Sequence, residues 1–150
     1  MLNVKKLMLP KVPPHIIDEV YNSIKDGVDR AWEGDRAQYK LDQYAWIPGN
    51  GAVQSWCSEN ICPDIYFGIQ VISGDLPIHR DFDTEVKFNY VVDSGGDSPL
   101  TSFYTDDHEL IESTVLQPHI WHVLNVYKFH DVKTIAPGKT RISIVGRITP

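Results

Sequence analysis

A histidine and an aspartate two residues apart are the first candidates for chemistry in this 150-residue sequence. They are His79 and Asp81, which follow the apolar pair Pro77-Ile78. In an extended chain, residues i and i+2 point to the same side, so this imidazole and carboxylate could meet one metal ion. The pair alone is a weak signal, because a motif this short also arises by chance.

A third candidate ligand, His130, lies far downstream in a run that is rich in apolar residues. His122 competes with it, because both would face the same side of an unbroken strand. His130 is favoured by Val132 two residues later and by Arg141, which lies 11 residues beyond it. Two imidazoles and one carboxylate that converge could hold one metal ion.

Arg141 and Ser143 form a second pair that can face one interior pocket, again because they are two residues apart. The guanidinium group can bind a carboxylate through two parallel hydrogen bonds and stays charged when it is partly buried. Arg147 could take the place of Arg141 in this pocket, but we interpret Arg147 as a surface residue of the same strand. The spacing therefore predicts that Arg141 and Ser143 line one interior pocket together.

The order His-x-Asp, distant His and Arg-x-Ser resembles that of the Fe(II)/2-oxoglutarate-dependent oxygenases. The resemblance implies a double-stranded β-helix, or jelly roll, with Fe(II) held by His79, Asp81 and His130 near one open end. It also implies that 2-oxoglutarate and O2 bind to the Fe(II), and that Arg141 and Ser143 bind the far carboxylate of 2-oxoglutarate. In such a site, 2-oxoglutarate is decarboxylated to succinate while a substrate C–H bond is hydroxylated, and ascorbate can act as a reductant.

The sequence departs from the family pattern at one position. Many relatives carry a tyrosine three residues before the glycine that precedes His-x-Asp, and here Val71 stands three residues before Gly74. We expect Tyr90, in the strand after the metal motif, to supply the missing contact to 2-oxoglutarate. Because halogenases of this family lose the carboxylate, the presence of Asp81 favours hydroxylation or a related oxidation.

The elements that must position these residues belong to one domain, 1–150. Its first part, 1–64, is predicted to be mostly helical support and loops, and its second part, 65–150, to be the β-helix core. We predict a helix over 14–31, because proline suits a first turn and the apolar spacing is helical. A second helix is predicted after the turn-forming Pro48-Gly49-Asn50-Gly51, to end before Pro63.

Short runs rich in β-branched and aromatic residues alternate with turn clusters in the second part, which predicts strands. The predicted strands are Tyr66–Ile72, Val86–Val92, Leu100–Tyr104, Ile120–Phe129 and Arg141–Ile148. Many short strands at this spacing are typical of an antiparallel sandwich or barrel. The predicted fold class is therefore mainly β with N-terminal helices (α+β), as a double-stranded β-helix or jelly roll.

Composition argues against several classes of protein. The net charge is −6 and no basic run is longer than Lys5-Lys6, so we do not expect nucleic acid as a partner. Cys57 and Cys62 are interpreted as reduced thiols rather than as part of a zinc site. No apolar stretch suits a signal peptide or a membrane span, which predicts a cytoplasmic protein with no membrane partner.

The substrate is expected to be a peptide side chain or a small molecule. Substrate contacts in such folds come from loops around the open end, here 33–50, 82–87 and 93–109. Aromatic residues of the first loop region could cradle the substrate; they are Trp32, Tyr39, Tyr44 and Trp46.

Two alternatives remain open from the sequence. One is a cupin-like metalloprotein with chemistry independent of 2-oxoglutarate, a class that usually has more histidines in its motif and does not need Arg141 or Ser143. The other is a jelly-roll binding protein without a working metal site. Fold alone does not separate these classes, because jelly rolls host many functions.

Overall fold

The computed structural model describes residues 3–27, 44–81, 86–97 and 99–148. Two helices lie in these ranges, α1 at Pro14–Gly27 and α2 at Gly51–Asn60. Helix α1 begins where the sequence predicts it, and its predicted last turn lies outside the described residues. Helix α2 begins after Asn50, whose side chain accepts a hydrogen bond from the backbone N–H of Val53 at 3.0 Å and so caps the helix.

The same ranges contain ten strands, arranged as two antiparallel sheets. The strands are Val4–Lys6 (β1), Tyr44–Pro48 (β2), Tyr66–Ile72 (β3), Leu76–His79 (β4), Val86–Asp93 (β5), Leu100–Tyr104 (β6), Leu110–Val115 (β7), Trp121–Asn125 (β8), Phe129–Lys133 (β9) and Arg141–Ile148 (β10). The larger sheet has the order β1-β8-β5-β10-β3-β2, and the smaller has the order β4-β9-β6-β7. The two sheets form a sandwich consistent with a double-stranded β-helix, so the predicted fold class is confirmed.

Both helices cover the outer face of the larger sheet. Their buried side chains form one apolar cluster with every second residue of β3, β5 and β10. The members of this cluster include Ile16, Val20, Val53, Cys57, Phe67, Ile69, Tyr90, Trp121, Ile142 and Ile144. Cys57 is buried and Cys62 is half-buried, and neither forms a disulfide in the described residues. Among the described helices, none is long and apolar enough to cross a membrane.

The inner face of the larger sheet meets the smaller sheet and carries buried polar side chains beside apolar ones. Ile72 packs with Val132 and Ile135 at one end of this interface. Strands β5, β8 and β10 contribute a set of buried polar residues to this face, which are Lys87, Asn89, His122, Arg141 and Ser143. A sandwich interior is normally apolar, so this polar set makes the inner face a candidate functional region.

One predicted strand is corrected by the structure. The run Ile120–Phe129 is two strands, β8 and β9, separated by a turn at residues 126–128 and belonging to different sheets. The prediction ran through the turn because no Gly or Pro marks it.

The predictions for β3, β6 and β10 have the observed bounds, and β5 extends one residue further. The strands β1, β2, β4 and β7 were not predicted as separate elements. They are short, or in β7 mostly exposed, so they carry little apolar signal.

Candidate metal centre

His79 and His130 lie opposite each other on two neighbouring strands. His79 is the last residue of β4, and the antiparallel register pairs it with His130 on β9. Residues in direct register point to the same face, and the two ring centroids are 4.3 Å apart. A register shift between Leu76 and His79 marks a bulge that sets this pairing.

Asp81 completes a cluster with the two histidines. It lies two residues beyond the end of β4, where its backbone N–H donates to the Val126 carbonyl oxygen at 3.0 Å. Its Oδ1 is 3.8 Å from Nε2 of His79 and 3.7 Å from Nε2 of His130. One ligand atom from each of the three residues lies within 4.8 Å of the others, which is close enough for one ion to contact all three.

Each imidazole is oriented by a backbone carbonyl two residues earlier in the chain. Nδ1 of His79 is 2.7 Å from the oxygen of Pro77, and Nδ1 of His130 is 2.7 Å from the oxygen of Lys128. Because a carbonyl oxygen can only accept, we assign the proton to Nδ1 in both rings. Nε2 then presents its lone pair to the centre of the cluster, the arrangement usual for histidine ligands.

The electrostatics keep His130 and Asp81 in their metal-binding protonation states. Burial lowers the pKa of His130 to about 4, and the neighbouring His79 acts in the same direction, so this ring is neutral at neutral pH. Burial alone would raise the pKa of Asp81, but the charge of Lys87 and the two histidines outweigh it and leave that pKa lowered. A neutral imidazole and an ionised carboxylate are the forms that bind metal.

Arg141 is a buried cation on the inner face of the larger sheet. Only 4% of its surface is exposed, and its Nη1 donates to Oγ1 of Thr101 on the smaller sheet at 3.2 Å. In the described part of the chain, no carboxylate lies within 4.0 Å of its guanidinium group, and its Nε has no hydrogen-bond partner. Burial lowers the pKa of Arg141 to about 10, so the group still carries its charge at neutral pH.

Other polar groups share the face of Arg141. Ser143 follows two residues later on β10, and its Oγ is buried without a partner among the described residues. Asn89 stands in register with His122, and the Oδ1 of Asn89 is also buried and unpartnered in that part of the chain. Burial lowers the pKa of His122, so it too is neutral. Buried polar atoms normally find partners, so this set fits a polar ligand between the sheets.

The prediction for Tyr90 is corrected. In the antiparallel register Tyr90 pairs with Ile144, so it lies on the face opposite to Ser143. Its ring is 5.0 Å from that of Trp121, and its hydroxyl accepts a hydrogen bond from the backbone N–H of Val12 at 3.3 Å. Tyr90 therefore belongs to the helix-covered core and does not share the buried polar face of Arg141.

The remaining predicted residues divide by location. His122 lies on β8 in the larger sheet, because the turn between β8 and β9 separates it from His130. It is not part of the candidate metal cluster. Arg147 is half-buried rather than a surface residue, with its Cζ 5.7 Å from the centre of the Trp46 ring. Trp32 and Tyr39 lie outside the described residues, as does most of the predicted loop 82–87.

Three functional candidates were not found from the sequence, namely Lys87, Asn89 and Thr101. None belongs to a spaced motif, and each is brought to the site only by the pairing of strands and the packing of the two sheets. For Lys87 and Asn89 the one available signal was a polar residue inside an apolar run that reads Val-Lys-Phe-Asn-Tyr-Val-Val. Such residues in a central strand indicate a polar interior, but they do not say what they face.

Comparison with known proteins supports the fold and leaves the family open. No family model and no curated protein match the sequence. Among solved structures, a Pseudomonas putida prolyl-4-hydroxylase is similar with a TM-score of 0.58 at 14% identity, over 99% of this chain and 93% of that one.

Two further structures are similar at lower scores. A 2OG-Fe(II) oxygenase family oxidoreductase from Burkholderia pseudomallei has a TM-score of 0.47 at 13% identity. Hydroxypropylphosphonic acid epoxidase from S. wedmorenis, in complex with fosfomycin, has a TM-score of 0.48 at 10% identity. This chain spans 53% of the length of each, over 67% and 73% of its own residues respectively. At this level they add no argument, and the conclusion rests on the sandwich itself: a fold like that of the prolyl-4-hydroxylase, carrying a candidate His-Asp-His metal centre.

Proposed function

We propose that this chain is a non-haem Fe(II)/2-oxoglutarate-dependent dioxygenase that hydroxylates a C–H bond of a peptide side chain or a small molecule. The observation that carries the proposal is the pairing of two features inside one sandwich. A cluster of His79, Asp81 and His130 lies at one place, and a buried Arg141 without a carboxylate partner among the described residues lies at another. The cluster suits Fe(II), and the buried arginine suits the far carboxylate of 2-oxoglutarate.

The donor set of the cluster fits Fe(II). Two neutral imidazole nitrogens and one carboxylate oxygen are the ligands that non-haem Fe(II) oxygenases use, and they leave positions open on the ion. His79 and His130 would bind through Nε2, and Asp81 through Oδ1. Bound Fe(II) supplies the activation of O2 that couples decarboxylation of 2-oxoglutarate to oxidation of the substrate.

The surroundings of Arg141 fit the far carboxylate of 2-oxoglutarate. A buried guanidinium group without a counter-ion is costly, and a bound carboxylate removes most of that cost. The unpartnered Nε of Arg141 and the unpartnered hydroxyl of Ser143 provide donors for it. Arg141 would hold this carboxylate by paired hydrogen bonds and so orient the cosubstrate between the sheets.

A peptidyl substrate is the class we favour. One solved structure that resembles this chain over nearly its whole length is a prolyl-4-hydroxylase, which supports a residue of a peptide as the substrate. A fold alone does not determine the substrate, so this part of the proposal depends on direct assay.

Thermal unfolding with sequential ligand addition tests the proposed function. Mn(II), a redox-stable substitute for Fe(II), should raise the melting temperature of the wild type, and 2-oxoglutarate should raise it further only when metal is present. A His79→Ala, His130→Ala double variant is the control and should respond to neither ligand. A response to metal without any response to 2-oxoglutarate would favour the cupin-like alternative, and no response to metal would leave a binding protein.

A further inference from the structure

We propose that Lys87 is a positioning residue that restricts Asp81 to one metal-binding oxygen. The inference rests on the proposed metal centre and assigns a role to a residue outside its ligand set. Lys87 is the second residue of β5, on the inner face of the larger sheet. It therefore approaches the cluster from the sheet opposite to the one that carries both histidines.

The two oxygens of Asp81 have different neighbours. Oδ2 is 3.1 Å from Nζ of Lys87, which is a charge-assisted hydrogen bond. Oδ1 instead lies between Nε2 of His79 and Nε2 of His130, at 3.8 and 3.7 Å. The carboxylate is thus oriented with one oxygen toward the lysine and the other toward the centre of the cluster.

The burial of Lys87 shows that this contact is specific. Only 5% of its surface is exposed, and lysine is rarely buried without a paired charge. Within the described residues, the carboxylate within 4.0 Å of its Nζ is that of Asp81. A surface lysine near an aspartate could bend away into water, whereas this ammonium group is enclosed beside Oδ2.

The consequence concerns how many positions on the ion stay open. A carboxylate can bind a metal through one oxygen or through both. With Oδ2 held by Lys87, Asp81 contributes one ligand atom, and three of the six octahedral positions are left. If both oxygens bound, two positions would be left, which is too few for a chelating 2-oxoglutarate together with O2. Lys87 would in this way preserve the position for O2.

Counting the water molecules bound to Mn(II) tests the role of Lys87 without relying on turnover. In the metal-loaded protein without cosubstrate, pulsed electron paramagnetic resonance in D2O should report about three bound waters for the wild type, which is the number of positions a facial triad leaves open. Lys87→Met should reduce the count by one, because Oδ2 is released to bind the ion. Lys87→Arg, which keeps a charged donor, should restore the wild-type count.

Lys133→Met is the matched control. Lys133 also pairs with a buried aspartate, its Nζ lying 3.6 Å from Oδ2 of Asp131, but it does not contact the cluster. Its loss should leave the water count unchanged. If Lys87→Met does not fold, Lys87→Leu likewise removes the donor to Oδ2 of Asp81, and the same reduction is expected.

The outcomes separate this inference from the proposed function. Wild-type protein that binds no Mn(II) would overturn the metal centre and the role of Lys87 together. Wild-type protein that binds Mn(II) with the same water count as Lys87→Met and Lys87→Leu would overturn the role of Lys87 alone. A wild-type count of two would do the same, because Asp81 would then bind through both oxygens despite the lysine.

Discussion

Arg141 is the residue whose environment most needs a ligand. It is a charged group inside a sandwich, and in the described structure its side chain donates to the neutral hydroxyl of Thr101 rather than to a carboxylate. Leaving a charge buried without a counter-ion destabilises a fold, so such a residue persists where function requires it. The proposed cosubstrate would supply the missing negative charge.

Replacing Arg141 should separate cosubstrate binding from metal binding. Arg141→Ala removes a charge-assisted contact and leaves a carboxylate buried without a partner, a loss of roughly 2–5 kcal/mol. That corresponds to roughly 30- to several-thousand-fold weaker binding of 2-oxoglutarate. Calorimetric titration of 2-oxoglutarate into Mn(II)-loaded protein measures it. Arg141→Lys should recover only part of the affinity, because an ammonium group cannot reproduce the planar fork.

Arg147→Ala is the control for this experiment, since Arg147 lies on the same strand and contacts Trp46. It should change the affinity for 2-oxoglutarate little. If Arg147→Ala abolishes binding while Arg141→Ala retains it, the anchor is assigned to the wrong arginine.

The metal-free protein should lose stability in mildly acidic solution because of His130. Its pKa is lowered to about 4 in the folded state, mainly by burial, against roughly 6.5 for an unfolded chain. Between these values the unfolded state binds the proton and the folded state does not, so acid favours unfolding. The free energy of unfolding should fall by up to about 3 kcal/mol as the pH drops from about 6.5 to about 4.

Urea unfolding in the presence of a chelator, at a series of pH values, measures this slope. His130→Gln cannot bind the proton and should show a shallower dependence, with part of the slope remaining because burial also lowers the pKa of His122. An equal slope in both proteins would contradict a buried, neutral His130.

The triad and Arg141 could be proposed from the sequence because their spacing and residue types carry chemical meaning before any fold is known. Tyr90 could not be placed in the same way. The strand β5 is buried on both faces, so alternation of apolar residues does not tell which side faces the pocket. Phe88 and Tyr90 face the helices, and Lys87 and Asn89 face the metal side, which only the register with β8 and β10 reveals.

At the scale of elements, the turn between β8 and β9 determines which histidine joins the metal cluster. If the run were one strand, His122 and His130 would lie on one face of one sheet. The turn at residues 126–128 instead moves the chain from the larger sheet to the smaller one. It also places the Val126 carbonyl where it accepts the backbone N–H of Asp81. A turn without Gly or Pro cannot be recognised from the local sequence. His130 could therefore be preferred over His122 only because of its spacing to Val132 and Arg141.

The turn that follows β5 has a glycine that no other residue should replace, because it packs against the backbone at the start of β10. Gly95 has a φ of +75°, and a Cβ added there would lie 2.7 Å from the backbone nitrogen of Arg141. Gly95→Ala should therefore lower the free energy of unfolding by about 2 kcal/mol or more, combining the cost of a left-handed conformation with a backbone clash. Urea unfolding measures the change, and weaker 2-oxoglutarate binding should accompany it because Arg141 is displaced.

Gly74→Ala is the matched control, because an added Cβ at Gly74 meets nothing within 4 Å. Its effect on the free energy of unfolding should stay within about 0.5 kcal/mol, as is usual for surface substitutions. Equal effects of the two substitutions would show that the turn at Gly95 is not tightly constrained.

At the scale of the whole molecule, the two halves of the proposed site lie on different sheets. The two histidines belong to the smaller sheet, and Arg141 belongs to the larger one. The alternation of short strands and turns in the sequence predicts a sandwich. It does not show that the two histidines and Arg141 lie on different sheets. The packing of one sheet on the other is therefore what would make the proposed metal ion and cosubstrate neighbours.

The most direct test of the account is an anaerobic titration of 2-oxoglutarate into the Fe(II)-loaded protein, followed by visible absorption. A metal-to-ligand charge-transfer band requires Fe(II) and 2-oxoglutarate to be bound to each other, so it reports both halves of the site at once. We predict that the wild type develops this band at submillimolar to millimolar concentrations of 2-oxoglutarate. The His79→Ala, His130→Ala variant should not develop it at any concentration. A wild type that binds Fe(II) but shows no band at millimolar 2-oxoglutarate would contradict the proposed oxygenase.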